Sequence, residues 1–246
     1  ETLFLEKREF KTEIDMLIHS YNNVICRLKK SMEQSVELQM NEQRMEFRML
    51  QAQINPHFLY NTFNLISSIA GMNGIDSICK ITVSISEMFR YSIQENLIVQ
   101  LQDELREINN YVTIQTIRFK DRLYADFDVE EEVLKVPIPI FLLQPLVENA
   151  VHHGLNGEGG NIEIKVFEQE DEIIFIVSDD GVGMSDEKIE DILAGRTVTG
   201  KSGFGLYSLI QRIRLTYGIE NPVIIQSEVG VGTEIIVTIK KIKMEK

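Results

Sequence analysis

Residues 1–52 contain neither proline nor glycine and are rich in Glu, Lys, Met, Leu and Gln. A long helix is the natural outcome of such a composition. Stepping alternately by four and three picks out Leu17, Tyr21, Val24, Leu28, Ser31, Ser35, Leu38, Glu42, Met45, Met49 and Ala52. Most are apolar, which makes a heptad seam for a second helix. The polar positions Ser31, Ser35 and Glu42 weaken that seam and leave the helix pair easier to switch. No core-forming segment adjoins this stretch, so the spacing predicts a dimeric coiled coil.

The helical pattern continues to about Ala70, where Gly71, Asn73 and Gly74 break it. A second helix is predicted over 78–94, with Ile81, Ile85, Met88 and Phe89 along one side, giving an αα-hairpin. Two such hairpins from two chains would make a four-helix bundle. A further helix spans 104–119, with Leu105, Ile108, Val112 and Gln115 at helical spacing. After Asp121 the texture changes. Short β-branched runs at 124–129, 162–167, 173–177, 223–226 and 234–239 alternate with helices near 141–153, 186–193 and 206–217. A tight turn at 169–171 joins two of the strands. The expectation is an α+β chain: an N-terminal coiled coil and helical hairpin for dimerisation, then a two-layer α/β sandwich. The polar, glycine-punctuated residues 194–203 read as a mobile lid.

The chain is acidic, with net charge −13. That argues against a nucleic-acid face and against a polybasic membrane patch. A bound polyphosphate would need a metal ion and local backbone donors to offset the overall field. The longest apolar run, 136–147, is interrupted by three prolines and a glutamine and is too short to span a bilayer. Cys26 and Cys79 sit in no CxxC pattern and read as idle thiols. The chain opens on Glu1 in mid-helix, and a cytoplasmic fragment of something longer is expected.

Three segments carry chemistry. Ile174-Phe175-Ile176-Val177 is a buried strand delivering Asp179 to a turn made by Gly181 and Gly183. A carboxylate held there can accept a hydrogen bond from an exocyclic amine such as adenine's N6, and the glycines let backbone pack against a base plane. Some twenty residues on, Gly203-Phe204-Gly205-Leu206 opens a helix whose free N–H groups and dipole suit a phosphate. Between Pro145 and Gly154 runs Leu-Val-Glu-Asn-Ala-Val-His-His. Asn149 and His153 are four apart and share a helical face, with Gln144 and Glu148 nearby. An amide oxygen is a suitable ligand for Mg²⁺, which keeps waters and substrate phosphates as its other ligands. The neighbouring His152 and His153 diverge by about 100° on a helix, so zinc is not expected.

His57, within Gln53-Ile54-Asn55-Pro56-His57-Phe58-Leu59-Tyr60-Asn61, is the acceptor candidate. Its ordinary pKa of about 6.5 leaves it largely neutral and nucleophilic at pH 7. Pro56 disfavours regular helix just before it, predicting a kink that pushes the imidazole outward. Gln53, His57 and Asn61 share a face, where Asn61 could position a water. Together the segments fit an ATP-dependent kinase that phosphorylates its own histidine. An ATPase that never labels histidine, and a coiled-coil module with a degenerate nucleotide pocket, are the rival readings.

The chain resembles the cytoplasmic part of LytS/YesM-type sensor histidine kinases of two-component signalling. The resemblance rests on residues 50–61, 111–119 and 143–154, the two glycine boxes, and Gly230-Val231-Gly232-Thr233. Residues 10–30 resemble, more faintly, the second helix of a HAMP relay unit. The division this implies is a signalling helix at 1–49, dimerisation and phosphotransfer helices at 50–119, and an ATP-binding domain of Bergerat fold at 120–246. It further implies that His57 is phosphorylated, that Asn149 holds Mg²⁺ and that Asp179 binds adenine. Thr233 would support Asp179 through its hydroxyl, and Gly181, Gly183, Gly203, Gly205 and Leu206 would shape the ATP pocket. The phosphoryl group would pass to an aspartate of a response regulator. The implied protein is a homodimer, attached to a bacterial membrane only through segments upstream of this chain. Phe58 stands where most histidine kinases carry an acid, which leaves the base open with Glu148 as candidate. His152 stands where many relatives carry a phosphate-binding lysine, so Arg196 and Lys201 in the lid are expected to supply positive charge.

Overall fold

The computed structural model describes residues 56–94, 96–155, 159–196 and 204–241. The expected coiled coil, the kink before Pro56, Gln53, Lys201 and Gly203 lie outside them. The chain divides into two compact units, Glu1–Phe58 and Leu59–Lys246.

Helix α1 spans Pro56–Met72. Gly74, at φ +68°, makes the left-handed turn into α2 (Asp76–Ser92). The two helices pair through an edge-on Tyr60–Phe89 contact at 5.8 Å and a Cys79 thiol donating to the Ser67 carbonyl. A short strand β1 (Ile98–Gln100) leads into α3 (Leu101–Arg118), which packs on α2.

The sheet follows: β2 (Leu123–Val129), β4 (Gly160–Gln169), β5 (Glu172–Asp179), β6 (Val223–Glu228) and β7 (Gly232–Lys240), in spatial order β2-β4-β5-β7-β6. Only β2–β4 is parallel. Alternation along β4 and β5 puts Ile162, Ile164, Val166, Ile173, Phe175 and Val177 on one buried face, as a sheet covered on one side requires. The covering layer is α3 together with α4 (Gln144–Asn149), α5 (Asp186–Leu193) and α6 (Phe204–Tyr217). The architecture is the expected α+β arrangement of helical hairpin and two-layer sandwich.

Two local expectations need correcting. The helix predicted over 141–153 does not start at Phe141, whose φ of +57° excludes helix. The segment before it instead makes a strand β3 (Pro137–Pro139) antiparallel to β1, an isolated two-stranded ribbon that tolerates proline. At its other end α4 stops at Asn149 and widens into a π turn, Ala150–Gly154, closed by the Leu155 N–H on the Ala150 carbonyl at 3.0 Å. The regular four-residue spacing from Asn149 to His153 is therefore broken. No helix among the described residues is long and apolar enough to cross a membrane.

Candidate functional site

Asp179 ends the central strand β5, opposite Ile162 of β4 and Thr233 of β7. Its carboxylate accepts the Gly181 N–H at 3.1 Å and the main-chain N–H of Thr233. Burial pushes its pKa up to about 6, and the neighbouring Asp180 charge adds to the rise, while the two backbone donors oppose it. Asp180 is otherwise engaged, accepting the Asn161 main-chain N–H at 2.7 Å. Asp179 is thus a half-buried acid with two donors and a like-charged neighbour. That makes it costly to ionise and ready for a further donor.

Thr233 supports Asp179 through its main-chain N–H and not through its hydroxyl. Ser227 donates to the Gly232 carbonyl at 2.8 Å, so at 2.9 Å it takes the Thr233 hydroxyl hydrogen. The glycines also have a nearer reason than an approaching base. Gly183 has φ +67°, and a Cβ there would lie 2.0 Å from the Glu228 carbonyl oxygen. The Gly230 N–H binds the Val182 carbonyl at 2.8 Å, and the Met184 N–H binds Ser227 Oγ at 2.8 Å. The turn after β5 is in this way stapled to the β6–β7 hairpin, which holds Asp179 rigidly at the sheet's end.

Beside this cluster, α4 buries Leu146 and Val147 and the π turn buries Ala150 and Val151. Glu148 and Asn149 are left half-buried and His152 exposed. The π turn packs on β5 and β7, and Leu155, which follows it, lies with the Asp180 carboxylate beside Gly160. Glu148 Oε1 accepts the Gln144 amide at 2.8 Å, and its charge helps raise the pKa of the buried Tyr111 hydroxyl, whose burial is the larger cause. Gly205, in the first turn of α6, faces Pro145 of α4, and a Cβ added there would lie 4.0 Å from the proline Cβ. Leu206 is buried beneath it.

The donor set suits magnesium bound with phosphates. Among the described residues no cluster of three or more His, Cys, Asp or Glu could cage a metal alone. A cation here would rely on the Asn149 amide oxygen plus ligand oxygens, the usual habit of Mg²⁺.

Arg196 is paired with two acids of α5. Its Nε donates to Asp191 Oδ1 at 3.0 Å and its guanidinium lies 3.9 Å from Glu190, both on α5. An exposed pair of this kind is weak and can be given up. His57 and Asn61 lie one turn apart on α1, and both are exposed.

Sequence reasoning missed Glu104, Tyr91 and Arg212. Glu104, fully buried at the start of α3, accepts the main-chain N–H groups of Phe141 at 2.9 Å, Leu143 at 3.0 Å and Gln144 at 3.4 Å, and the Tyr91 hydroxyl. It caps α4, which has no side-chain cap of its own. The available signal was Glu104, Glu107 and Tyr111 continuing the apolar stripe of Ile108 and Val112 on one helical face.

Comparison with known proteins gives a family match in each half. Residues 45–123 match the histidine kinase family, and residues 139–243 match the family of histidine kinase-, DNA gyrase B- and HSP90-like ATPases. Sensor histidine kinase YesM of Bacillus subtilis is 36% identical over 92% of this chain. Sensor protein LytS of Bacillus anthracis is 35% identical over 80%, and sensor histidine kinase YpdA of Escherichia coli 36% identical over 70%. The chain spans 39%, 34% and 31% of those three proteins, respectively.

Proposed function

The chain belongs to the sensor histidine kinases, and from that premise we propose that it phosphorylates His57 with ATP and passes the phosphoryl group to an aspartate of a response regulator. Asp179 carries the reading. A carboxyl group held at the end of a central strand, raised toward pH 6 and offered only backbone donors, is matched to the amine edge of adenine.

With adenine on Asp179, the triphosphate would run toward α4 and the first turn of α6, where Asn149, Gly203, Gly205 and the α6 N–H groups meet it. Asn149 would hold Mg²⁺, which supplies charge neutralisation on the phosphate oxygens. His152, His153 and the lid cations Arg196 and Lys201 would stand beside them. An imidazole nitrogen of His57 forms the new P–N bond as the bond from the γ-phosphorus to ADP breaks. The imidazole proton leaves to Glu148 or to water. Since the transition state is loose, positioning and charge stabilisation do most of the catalysis. Asn61, one turn from His57, would orient a water for hydrolysis of the phosphohistidine to inorganic phosphate.

A second copy of this chain is the expected partner of the hairpin. Leu65, Ile66, Ile69 and Met72 on α1 and Ile78 and Val83 on α2 are all exposed in the single chain. So many exposed large apolar side chains on one hairpin favour a bundle between copies. Incubation with γ-labelled ATP and Mg²⁺ should give an acid-labile, alkali-stable phosphoprotein, and His57→Gln should lose the label. Retention of label by that variant, or ADP release without any label in the parent, would overturn the assignment.

A further inference from the structure

The segment 140–144 joins β3 to the helix that carries Glu148 and Asn149, and it is held almost entirely from outside. Its N–H groups at Phe141, Leu143 and Gln144 donate to Glu104 of α3. Its carbonyls at Ile140 and Phe141 accept from the two terminal nitrogens of Arg212, on α6. The Phe141 ring meets Tyr91, near the end of α2, edge-on at 5.3 Å. Phe141 itself is in the left-handed region at φ +57°, a conformation that persists for a bulky residue only when its surroundings impose it. One strap therefore meets α2, α3 and α6 at once, and it leads directly into α4.

Glu104 is the centre of this junction. Three main-chain N–H groups and the Tyr91 hydroxyl fill the lone pairs of its two oxygens. Oε2 is shared between Tyr91 of the hairpin and Phe141 of the strap. An apolar contact would hold two helices together with less desolvation. A hydrogen-bonded carboxylate adds direction, because its geometry is satisfied in one placement of the partners only.

We propose that Tyr91 and Glu104 are positioning residues for phosphotransfer: the Tyr91 hydroxyl, through the Glu104 carboxylate, ties the hairpin's second helix to the 140–144 strap and so sets the placement of Glu148 and Asn149. This rests on the reading of α4 as the nucleotide-binding helix. Arg212 extends the tie to α6, whose first turn carries Gly205. A change in the pose of α2 is thereby passed to both helices that meet the triphosphate, by a route that does not run through the sheet.

The test uses the whole chain with Tyr91→Phe, Glu104→Gln and the double variant. Tyr91→Phe keeps the ring on Phe141 and removes only the hydroxyl. Three quantities are read: hydrogen exchange of the Leu143 and Gln144 amides, affinity for a non-hydrolysable ATP analogue with Mg²⁺, and the initial autophosphorylation rate at saturating ATP. Tyr91→Phe should speed exchange at those amides about threefold or more. It should leave analogue affinity within about twofold and lower the saturated rate about fivefold or more. Glu104→Gln should also weaken analogue affinity about tenfold, and the double variant should match Glu104→Gln alone. A Tyr91→Phe protein with parental exchange and rate would overturn the proposal, as would additive losses in the double variant. A purely structural role would lower the melting temperature of Tyr91→Phe without moving the saturated rate. Should Glu104→Gln fail to fold, Tyr91→Phe decides alone. If the parent takes no label, the phosphotransfer reading falls, while the exchange and affinity measurements still decide whether the strap is positioned this way.

Discussion

Replacing Asp179 with asparagine should stabilise the protein and weaken nucleotide binding together. The folded-state pKa of Asp179 is raised from 3.8 to about 6. A raised carboxyl pKa means that stability is fullest below the unfolded value and is lost as pH climbs from there through about 6. A rise of that size corresponds to about 3 kcal/mol at neutral pH. The carboxyl is only half-buried, so solvent screening reduces this to about 1–2 kcal/mol. The nearly isosteric amide carries no charge to desolvate and no repulsion from Asp180. In a unit the size of Leu59–Lys246 each kcal/mol moves the melting temperature by about 2–4 °C. Asp179→Asn should therefore melt about 3–6 °C above the parent at pH 8, and the gap should close as pH falls toward 4. Its affinity for ATP should drop about tenfold or more, because a charged acceptor facing the adenine amine is lost. Saturating ATP should then narrow the gap by about 1.4 kcal/mol or more, since the parent gains more from the ligand. Melting curves from pH 4 to 8, with and without nucleotide, check both halves. A variant less stable than the parent at pH 8, or one with parental ATP affinity, would refute the reasoning.

Other residues give sharper contrasts. Glu107, buried on α3, has its pKa pushed up to about 7 by burial, then by the Glu104 and Glu87 charges; Glu107→Gln should stabilise by about 2–3 kcal/mol at pH 8 and by nothing below about pH 4.5 in urea titrations. Gly183→Ala places a Cβ 2.0 Å from the Glu228 carbonyl oxygen at φ +67° and should cost about 3 kcal/mol or more. Gly218→Ala, at φ +66° with nothing within 4 Å, should cost only about 1 kcal/mol by the same denaturation assay. Thr233→Val keeps the main-chain N–H on Asp179 and loses the bond to Ser227, so it should cost about 1 kcal/mol of stability and leave ATP affinity within about twofold by calorimetry.

The sheet was legible because each strand has one buried face. Ile162, Ile164 and Val166 alternate with Glu163, Lys165 and Phe167, and the structure extends that run only by a few residues at each end. The Asp-Asp-Gly-Val-Gly turn is common on protein surfaces when met alone, and Asp179 stood out only because a second glycine box, Gly203-Phe204-Gly205, follows some twenty residues on. The β1–β3 ribbon was not, since three residues flanked or occupied by Pro137 and Pro139 show no period. The π turn was not either: Ala150 to Gly154 is ordinary helical text, and the extra residue per turn appears only where the segment packs on β5 and β7. The contacts of Glu104 span 37 to 40 positions in the chain. No local spacing encodes them.

Glu104, buried, and Asp179, half-buried, differ in how far the fold satisfies them. Glu104 and Asp179 both have raised pKa values with burial as the largest cause. Glu104 receives four donors on two oxygens and lies near the Arg212 charge, which partly offsets its own. Its bonding capacity is used up, so it can hold structure but can receive nothing more. Asp179 receives two backbone donors, and the nearest charge acting on it is of its own sign. It keeps acceptor capacity facing out of the sheet's end, at a standing cost to the fold that only an incoming donor relieves. In sequence each has a second acid next to it, Asp103 beside Glu104 and Asp180 beside Asp179. What distinguishes them is how many donors the folded chain delivers, and the incomplete one is where the proposed adenine contact is placed.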